Sequence, residues 1–238
     1  ESGQTGLSDW GDGTHQSLNS FLKALREAVD ERSSDSFGEQ NLKSFLNLLV
    51  VLSQEYDVSL MNPPYGSEGR MPDNVQKYVS SKYKYKPEYY INFFEACDRL
   101  SKPAGRIGML VPRSFMFLKT FQEFRQDFIG GEGAFDFLAE YGIDILGNAT
   151  VRTAGTVVRS DVEGDNSGTF LRLDDVEKGK KETSFLYTAF ISPKEDGIRR
   201  VFRKELSEFD LVPGTPLTYW IPQSLRRLYD SDTVLDSD

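Results

Sequence analysis

Apolar residues recur along this chain with two different periods, and the change of period marks its parts. From Ser17 to Glu31 they fall at Leu18, Phe21, Leu22, Leu25, Ala28 and Val29, the spacing of one helical face. After a polar loop, Leu42, Phe45, Leu46, Leu48, Leu49 and Leu52 predict a second helix over about Asn41 to Ser53. It is apolar most of the way round and so expected between layers. Val58, Leu60 and Met61 form a strand-like run that stops at Asn62-Pro63-Pro64-Tyr65 and turns at Gly66. A helix begins at Pro87 and carries Tyr89, Tyr90, Phe93, Phe94, Cys97 and Leu100 as far as Pro103-Ala104-Gly105.

Residues 106–112 read as a strand buried on both faces. An aromatic loop with Phe115, Met116 and Phe117 follows, then a helix over about Thr120 to Ile129. A short strand or turn is expected within Phe135 to Leu146, and a further strand from Thr150 to Arg159. Thr169 to Leu173 and Ser184 to Ile191 read as two strands around the charged run Glu177-Lys178-Gly179-Lys180-Lys181-Glu182, itself a solvated tip. The last residues read as a frayed tail. Strands alternating with helices predict an α/β fold: a mostly parallel sheet, flanking helices and a terminal antiparallel hairpin.

The chemistry is concentrated where the first strand ends. Two successive prolines lack the backbone N–H and fix φ, so the chain can neither extend a ladder nor enter a helix there. Each also drives its predecessor toward extended geometry. The result is a stiff peptide at the carboxyl end of a strand, where open α/β sheets bind ligands. Asn62 offers a side-chain carbonyl, Pro63 a backbone carbonyl, and Tyr65 an aromatic face. That set suits an amino group on a flat ring; an ordinary strand-ending turn is the plain alternative.

Composition narrows the rest. The 238 residues, 38% hydrophobic, are enough for one sizeable core. A single cysteine, Cys97, excludes an internal disulfide and fits a reducing cytoplasm; on an amphipathic helix it reads as a small buried residue. With one histidine, His15, a zinc site built from nitrogen or sulfur alone is out of reach, so no metal is expected. No apolar run has the length of a membrane span. The net charge of −9 argues against a free-standing nucleic-acid-binding module, although local basic patches act independently of the total. One such patch is the segment from Ser67 to Pro87. There Arg70, Lys77, Lys82, Lys84 and Lys86 interleave with Tyr78, Tyr83 and Tyr85, fitting either a DNA-contacting loop or an exposed one.

The Asn62–Tyr65 tetrapeptide resembles motif IV of the amino-methyltransferases that modify adenine N6 in DNA. Gly105 to Phe115 (Gly-Arg-Ile-Gly-Met-Leu-Val-Pro-Arg-Ser-Phe) is similar to a strand of restriction–modification methyltransferases. Pro213 to Trp220 (Pro-Gly-Thr-Pro-Leu-Thr-Tyr-Trp) resembles a segment of the PglX group of BREX phage-defence methyltransferases. The resemblance implies a Rossmann-like class I methyltransferase core and S-adenosylmethionine as cofactor. It also implies DNA with a flipped adenine as substrate, and other defence-system subunits as possible partners. Asn62, Pro63, Pro64 and Tyr65 would be catalytic, Tyr65, Lys82 and Lys84 substrate-binding, and Asn62 a possible cofactor contact. Phe135, Phe137 and Tyr141 are candidates for a second base-stacking aromatic.

In that family a glycine-rich cofactor loop lies upstream of motif IV. Residues 9–14 (Asp-Trp-Gly-Asp-Gly-Thr) follow no strand and open no clear helix, so the loop is expected to be absent, as is a target-recognition domain. The chain, beginning at Glu1, is expected to be an internal piece holding only the C-terminal portion of the core. It would comprise a helical lead-in (1–55), motif IV with the following strands (56–160), and a hairpin with C-terminal extension (161–238). Methylation of RNA bases or of protein glutamine, or a non-catalytic scaffold role in a defence complex, are the alternatives.

Overall fold

The computed structural model describes residues 12–31, 37–66, 68–85, 88–143, 145, 151–160 and 166–229. The expected frayed tail and the tip of the loop after Arg159 fall outside them. The chain divides into two compact units, Glu1–Tyr56 and Asp57–Asp238.

In the first unit, α1 (Asp12–Glu31) and α2 (Phe37–Leu52) pack through Leu22, Leu46 and Val50, and Lys43 pairs with Asp30 at 3.3 Å. The helix α2, expected to be buried all round, instead leaves Leu42, Phe45, Leu48, Val51 and Leu52 exposed. A two-helix unit has only one inward stripe to offer.

The second unit is built on a six-stranded sheet in the order β1-β2-β4-β3-β5-β8. The strands are β1 (Tyr56–Met61), β2 (Ser101–Pro112), β3 (Gly133–Gly142), β4 (Thr153–Ser160), β5 (Ser167–Arg172) and β8 (Val201–Glu205). A separate two-stranded ribbon joins β6 (Lys194–Glu195) to β7 (Ile198–Arg199). β1 and β2 run the same way. Lys102 at the start of β2 binds Asp57 at the start of β1 (2.9 Å), and Tyr65, just past the end of β1, reaches Leu110 near the end of β2. β2 and β3 are each antiparallel to β4, and β3 is parallel to β5. Hence β1, β2, β3 and β5 share one direction, which accords with the mostly parallel expectation, while β4 and β8 are reversed. Their common carboxyl edge is where the Asn-Pro-Pro-Tyr turn lies.

One face of the sheet is covered by α4 (Tyr89–Asp98), whose Tyr90, Ile91, Phe94 and Cys97 recur at helical spacing and are buried. A helix with the wider π turn (Phe124–Glu132) stacks Phe124 on Phe128 over the same core. Facing them are Ile107, Met109, Val111, Ala154, Val158, Phe135 and Leu138. β2, expected to be buried on both faces, is so on this one; Arg106 is exposed and Leu110 only half-buried on the other.

Two sequence expectations give way. Residues 73–82, read as loop, form α3 (Asp73–Lys82). Only Val79 is buried on it, so there was no apolar period to detect. Residues 184–191, read as a strand, lie almost entirely in α5 (Lys181–Phe190), so they do not pair with β5, which joins β3 and β8; the small antiparallel hairpin is formed by β6 and β7 instead. The buried stripe of α5 is Lys181, Ser184 and Thr188, which is polar and escapes a hydrophobic-period reading. Lys181, expected on a solvated tip, donates from Nζ to the carbonyls of Tyr141 and Ile143.

Arg125 holds the C-terminal segment to this core. It is 2% exposed, and its guanidinium donates to four main-chain carbonyls: Phe115 (2.7 Å), Leu118 (2.9 Å), Thr215 (2.9 Å) and Gly214. The planar donor fork suits such a fan of acceptors. Burial lowers its pKa to about 10. Leu217 N–H to Met116 O (2.9 Å) completes the attachment of residues 213–220. Arg125→Met leaves these carbonyls unpaired and is expected to lower the unfolding free energy by about 3 kcal/mol. Urea unfolding followed by tryptophan emission measures this; unchanged stability would contradict the anchoring role.

Candidate active site

The Asn-Pro-Pro-Tyr turn sits at the carboxyl edge, just beyond β1. Pro63 is buried, Tyr65 half-buried, and Asn62 and Pro64 exposed. Tyr65 is fixed from two sides. Its hydroxyl donates to Leu110 O (3.0 Å), and its ring meets Tyr90 of α4 edge-on at 6.3 Å and 76°. A T-shaped contact of this kind occupies at most one face of the Tyr65 ring. Asn62 Oδ1 is 3.5 Å from the same hydroxyl. One hydroxyl hydrogen serves one good bond, and the shorter, to Leu110, takes it. The Asn62 amide therefore stays free to accept. Among the described residues no backbone N–H donates to the Pro63 carbonyl.

Support comes from residues the sequence reading did not single out. Tyr90 shares a hydrogen bond with Ser114 Oγ (3.2 Å), and burial pushes its hydroxyl pKa well up, as it more mildly does that of Tyr65. Tyr89 N–H to Gly66 O (3.0 Å) ties the start of α4 to the turn. Only the helical spacing of Tyr90 hinted at this in sequence.

On the open face of the sheet a depression of about 490 Å³ runs from Asn62 across Leu60, Gly108, Leu110 and Val157 to Phe137 and Tyr141. Gly155 makes room for Tyr141: a Cβ there would stand 2.8 Å from the ring. Of the three aromatic candidates, Phe135 is fully buried on the opposite, core face, so it cannot meet a base. Phe137 packs against Phe185 at 6.0 Å, and Tyr141 lines the depression half-buried.

The lysines lie elsewhere. Lys84 N–H donates to Glu95 Oε2 (2.8 Å) and its Nζ binds Asp127 (2.6 Å), while Lys82 O accepts from Arg99 (2.6 Å). Arg99 follows the end of α4 and Gly66 sits at its start, so about 15 Å of helix separates Lys82 from the turn. Asp12-Gly13-Thr14, expected to open no clear helix, begins α1; residues 9–11 lie outside the described residues. Cys97 is buried, with its thiol pushed up to about 11 by burial, as suits an inert core residue. Among the described residues no group of three or more His, Cys, Asp and Glu could hold a metal, and no helix is long and apolar enough to cross a membrane.

Comparison with known proteins fits this geometry. Residues 9–133, more than half the chain, match the family described as Eco57I restriction-modification methylase. The chain belongs to that family. It is 28% identical over 209 residues to the adenine-specific methyltransferase PglX of Lacticaseibacillus casei (strain Zhang), covering 83% of this chain and 17% of that protein. It is 23% identical over 209 residues to the adenine-specific methyltransferase BrxX of Escherichia coli O9:H4 (strain HS), covering 85% and 16%. The chain thus spans about one-sixth of the length of these relatives.

Among solved structures it resembles a nuclease-deletion mutant of the Type ISP restriction-modification enzyme LlaGI in complex with a DNA substrate mimic. The TM-score is 0.53 at 12% identity, over 80% of this chain and 18% of that one. A DrdV–DNA complex matches at TM-score 0.51 and 13% identity, over 76% and 19%. The likeness is one of fold, an α/β core on a mostly parallel sheet.

Tyr65→Phe keeps the ring and loses the bond to Leu110. It is expected to lower stability by about 1 kcal/mol in urea unfolding, and no change would mean the hydroxyl does not hold the turn.

Proposed function

We propose that this chain forms the adenine-gripping side of an N6-adenine DNA methyltransferase, part of a restriction–modification or BREX-type defence system that uses S-adenosylmethionine. One observation carries the reading: a proline-stiffened turn at the carboxyl edge presents an exposed Asn62 amide beside a Tyr65 ring held by Leu110 and Tyr90. The names of the relatives, adenine-specific methyltransferases, support adenine as the base.

The target base has to leave the stack, since its amino group is otherwise paired. Asn62 Oδ1 and the Pro63 carbonyl accept the two N6 hydrogens, which turns the nitrogen lone pair outward and stabilises the positive charge that develops on nitrogen. Tyr65 stacks on the ring, an interaction worth roughly 1–3 kcal/mol. S-adenosylmethionine would supply an electrophilic methyl group. Asn62 would face such a donor, and the depression beside it is lined by no acidic side chain to take a ribose.

In the full-length protein, Asn62→Ala is expected to lower labelled methyl transfer to duplex DNA by about a hundredfold or more, and Tyr65→Ala to abolish stacking with a comparable loss. N6-methyladenine in hydrolysed DNA reports the product, and RNA and protein acceptors run in parallel test the other planar amino groups. Wild-type turnover by Asn62→Ala sinks the assignment.

A further inference from the structure

We propose that Arg113, Arg152 and Arg172, gathered on Asp174 at the carboxyl edge of the sheet, clamp backbone phosphates of the DNA strand carrying the reacting base. This rests on reading Asn62–Tyr65 as the adenine grip.

The chain carries a net charge of −9, so a knot of three guanidinium groups is not its average surface. Three separate segments supply them: Arg113 follows β2, Arg152 precedes β4, and Arg172 ends β5. Strand register brings them together. Pro112 lies opposite Thr153, Arg113 N–H donates to Arg152 O (2.9 Å), and Glu140 lies opposite Arg172. All three reach one carboxylate, Asp174, at 2.9 Å from Arg172, 3.5 Å from Arg113 and 3.8 Å from Arg152. Its side chain is 10% exposed, and Glu140, the other carboxylate in the group, is wholly buried. Three cations thus stand over two shielded anions, while Asp175, which also faces Arg172, is paired with Arg200 at 2.7 Å. Two of the guanidinium side chains reach solvent, Arg152 at 49% and Arg172 at 38% exposed.

Such an arrangement carries one surplus positive charge and unused N–H donors, since each guanidinium has five. Arg forks of this kind match phosphate oxygens in a bidentate way. The planes are also held: Arg172 lies over the Trp220 ring at 4.8 Å and Arg113 over Phe117 at 5.7 Å, while the two rings meet edge-on at 5.8 Å. Gly142 lets the hub approach, because a Cβ there would stand 2.9 Å from Asp174 Cα and its φ is +73°. Arg113 is three residues beyond Leu110, whose carbonyl fixes Tyr65. At ~3.3 Å per residue that is about 10 Å, comparable with three base steps of duplex at ~3.4 Å each.

The test is the salt dependence of binding of the full-length protein to a fluorescent duplex, followed by anisotropy. Arg152→Gln/Arg172→Gln is expected to flatten the log–log salt slope by about 2, and Arg152→Gln alone by about 1, at roughly 0.9 per phosphate contact. Arg152→Lys/Arg172→Lys, which keeps the charges, retains most of the slope, and Lys178→Gln, outside the cluster, leaves it unchanged. The Arg152 side chain is exposed and its ion pair with Asp174 is long at 3.8 Å, so its single variant carries the test should the double variant fold poorly. A wild-type slope in both Gln variants, or no duplex binding by the wild type, overturns the clamp. Binding needs no turnover, so the two readings separate. A protein that methylates adenine yet shows no slope change loses the clamp alone. One that shows the slope change without ever methylating DNA keeps the clamp and loses the catalytic reading.

Discussion

Glu140 is a carboxylate with no access to water, and the carboxyl edge of the sheet is arranged to satisfy it. Arg113, at the end of β2, binds one oxygen, and the Tyr219 hydroxyl donates to the other at 2.8 Å. The Glu140 main-chain carbonyl meanwhile accepts from Leu173. A buried ion pair rarely adds net stability, because desolvation consumes most of the Coulomb gain; what it enforces is one arrangement, since a lone buried charge is far worse. Here the enforced arrangement joins β2, β3, the chain after β5 and the segment at 213–220. Trp220 follows Tyr219 directly, so the same bond decides where that aromatic face lies.

Around this knot the edge behaves as one layer of interlocked parts. The Tyr65 hydroxyl reaches back to β2, Tyr90 links α4 to Ser114, and Arg125 draws Gly214 and Thr215 down onto the helical turn at Arg113–Met116. These bonds pair polar atoms that are buried or part-buried, and leaving such an atom unpaired costs more than the bond returns in water. Groups presented at such an edge are therefore held before any ligand arrives. The Asn62 amide stands out because it is exposed while its neighbours are committed. A preorganised acceptor beside a fixed ring is what orientation of an amino group requires.

Charge is distributed with the same division of labour. The acidic surplus is spread over the chain, whereas the basic groups at the carboxyl edge are concentrated by strand register. A mean charge averages this away, so the acidic total and a local cationic cluster are compatible.

The alternation and helical spacing of apolar residues were enough to place β1, β2, β4, α1, α2 and α4, and the proline pair marked the end of β1 without any tertiary information. These are local matters, since a strand run, an amphipathic face and a fixed φ are legible within ten residues. α3 and α5 were not legible, because one buries a single valine and the other turns Lys181, Ser184 and Thr188 inward. Asn62, Pro63, Pro64 and Tyr65 were identifiable as candidates because their chemistry is carried by residue type and order. Only the tertiary structure decided that Tyr65 is held by Leu110 and Tyr90, that Phe135 faces the core, and that Lys82 lies a helix length away. Only it brought Arg113, Arg152 and Arg172 to one carboxylate. Those outcomes depend on strand order and register, which couple residues up to tens of positions apart and leave no periodic trace in the chain itself.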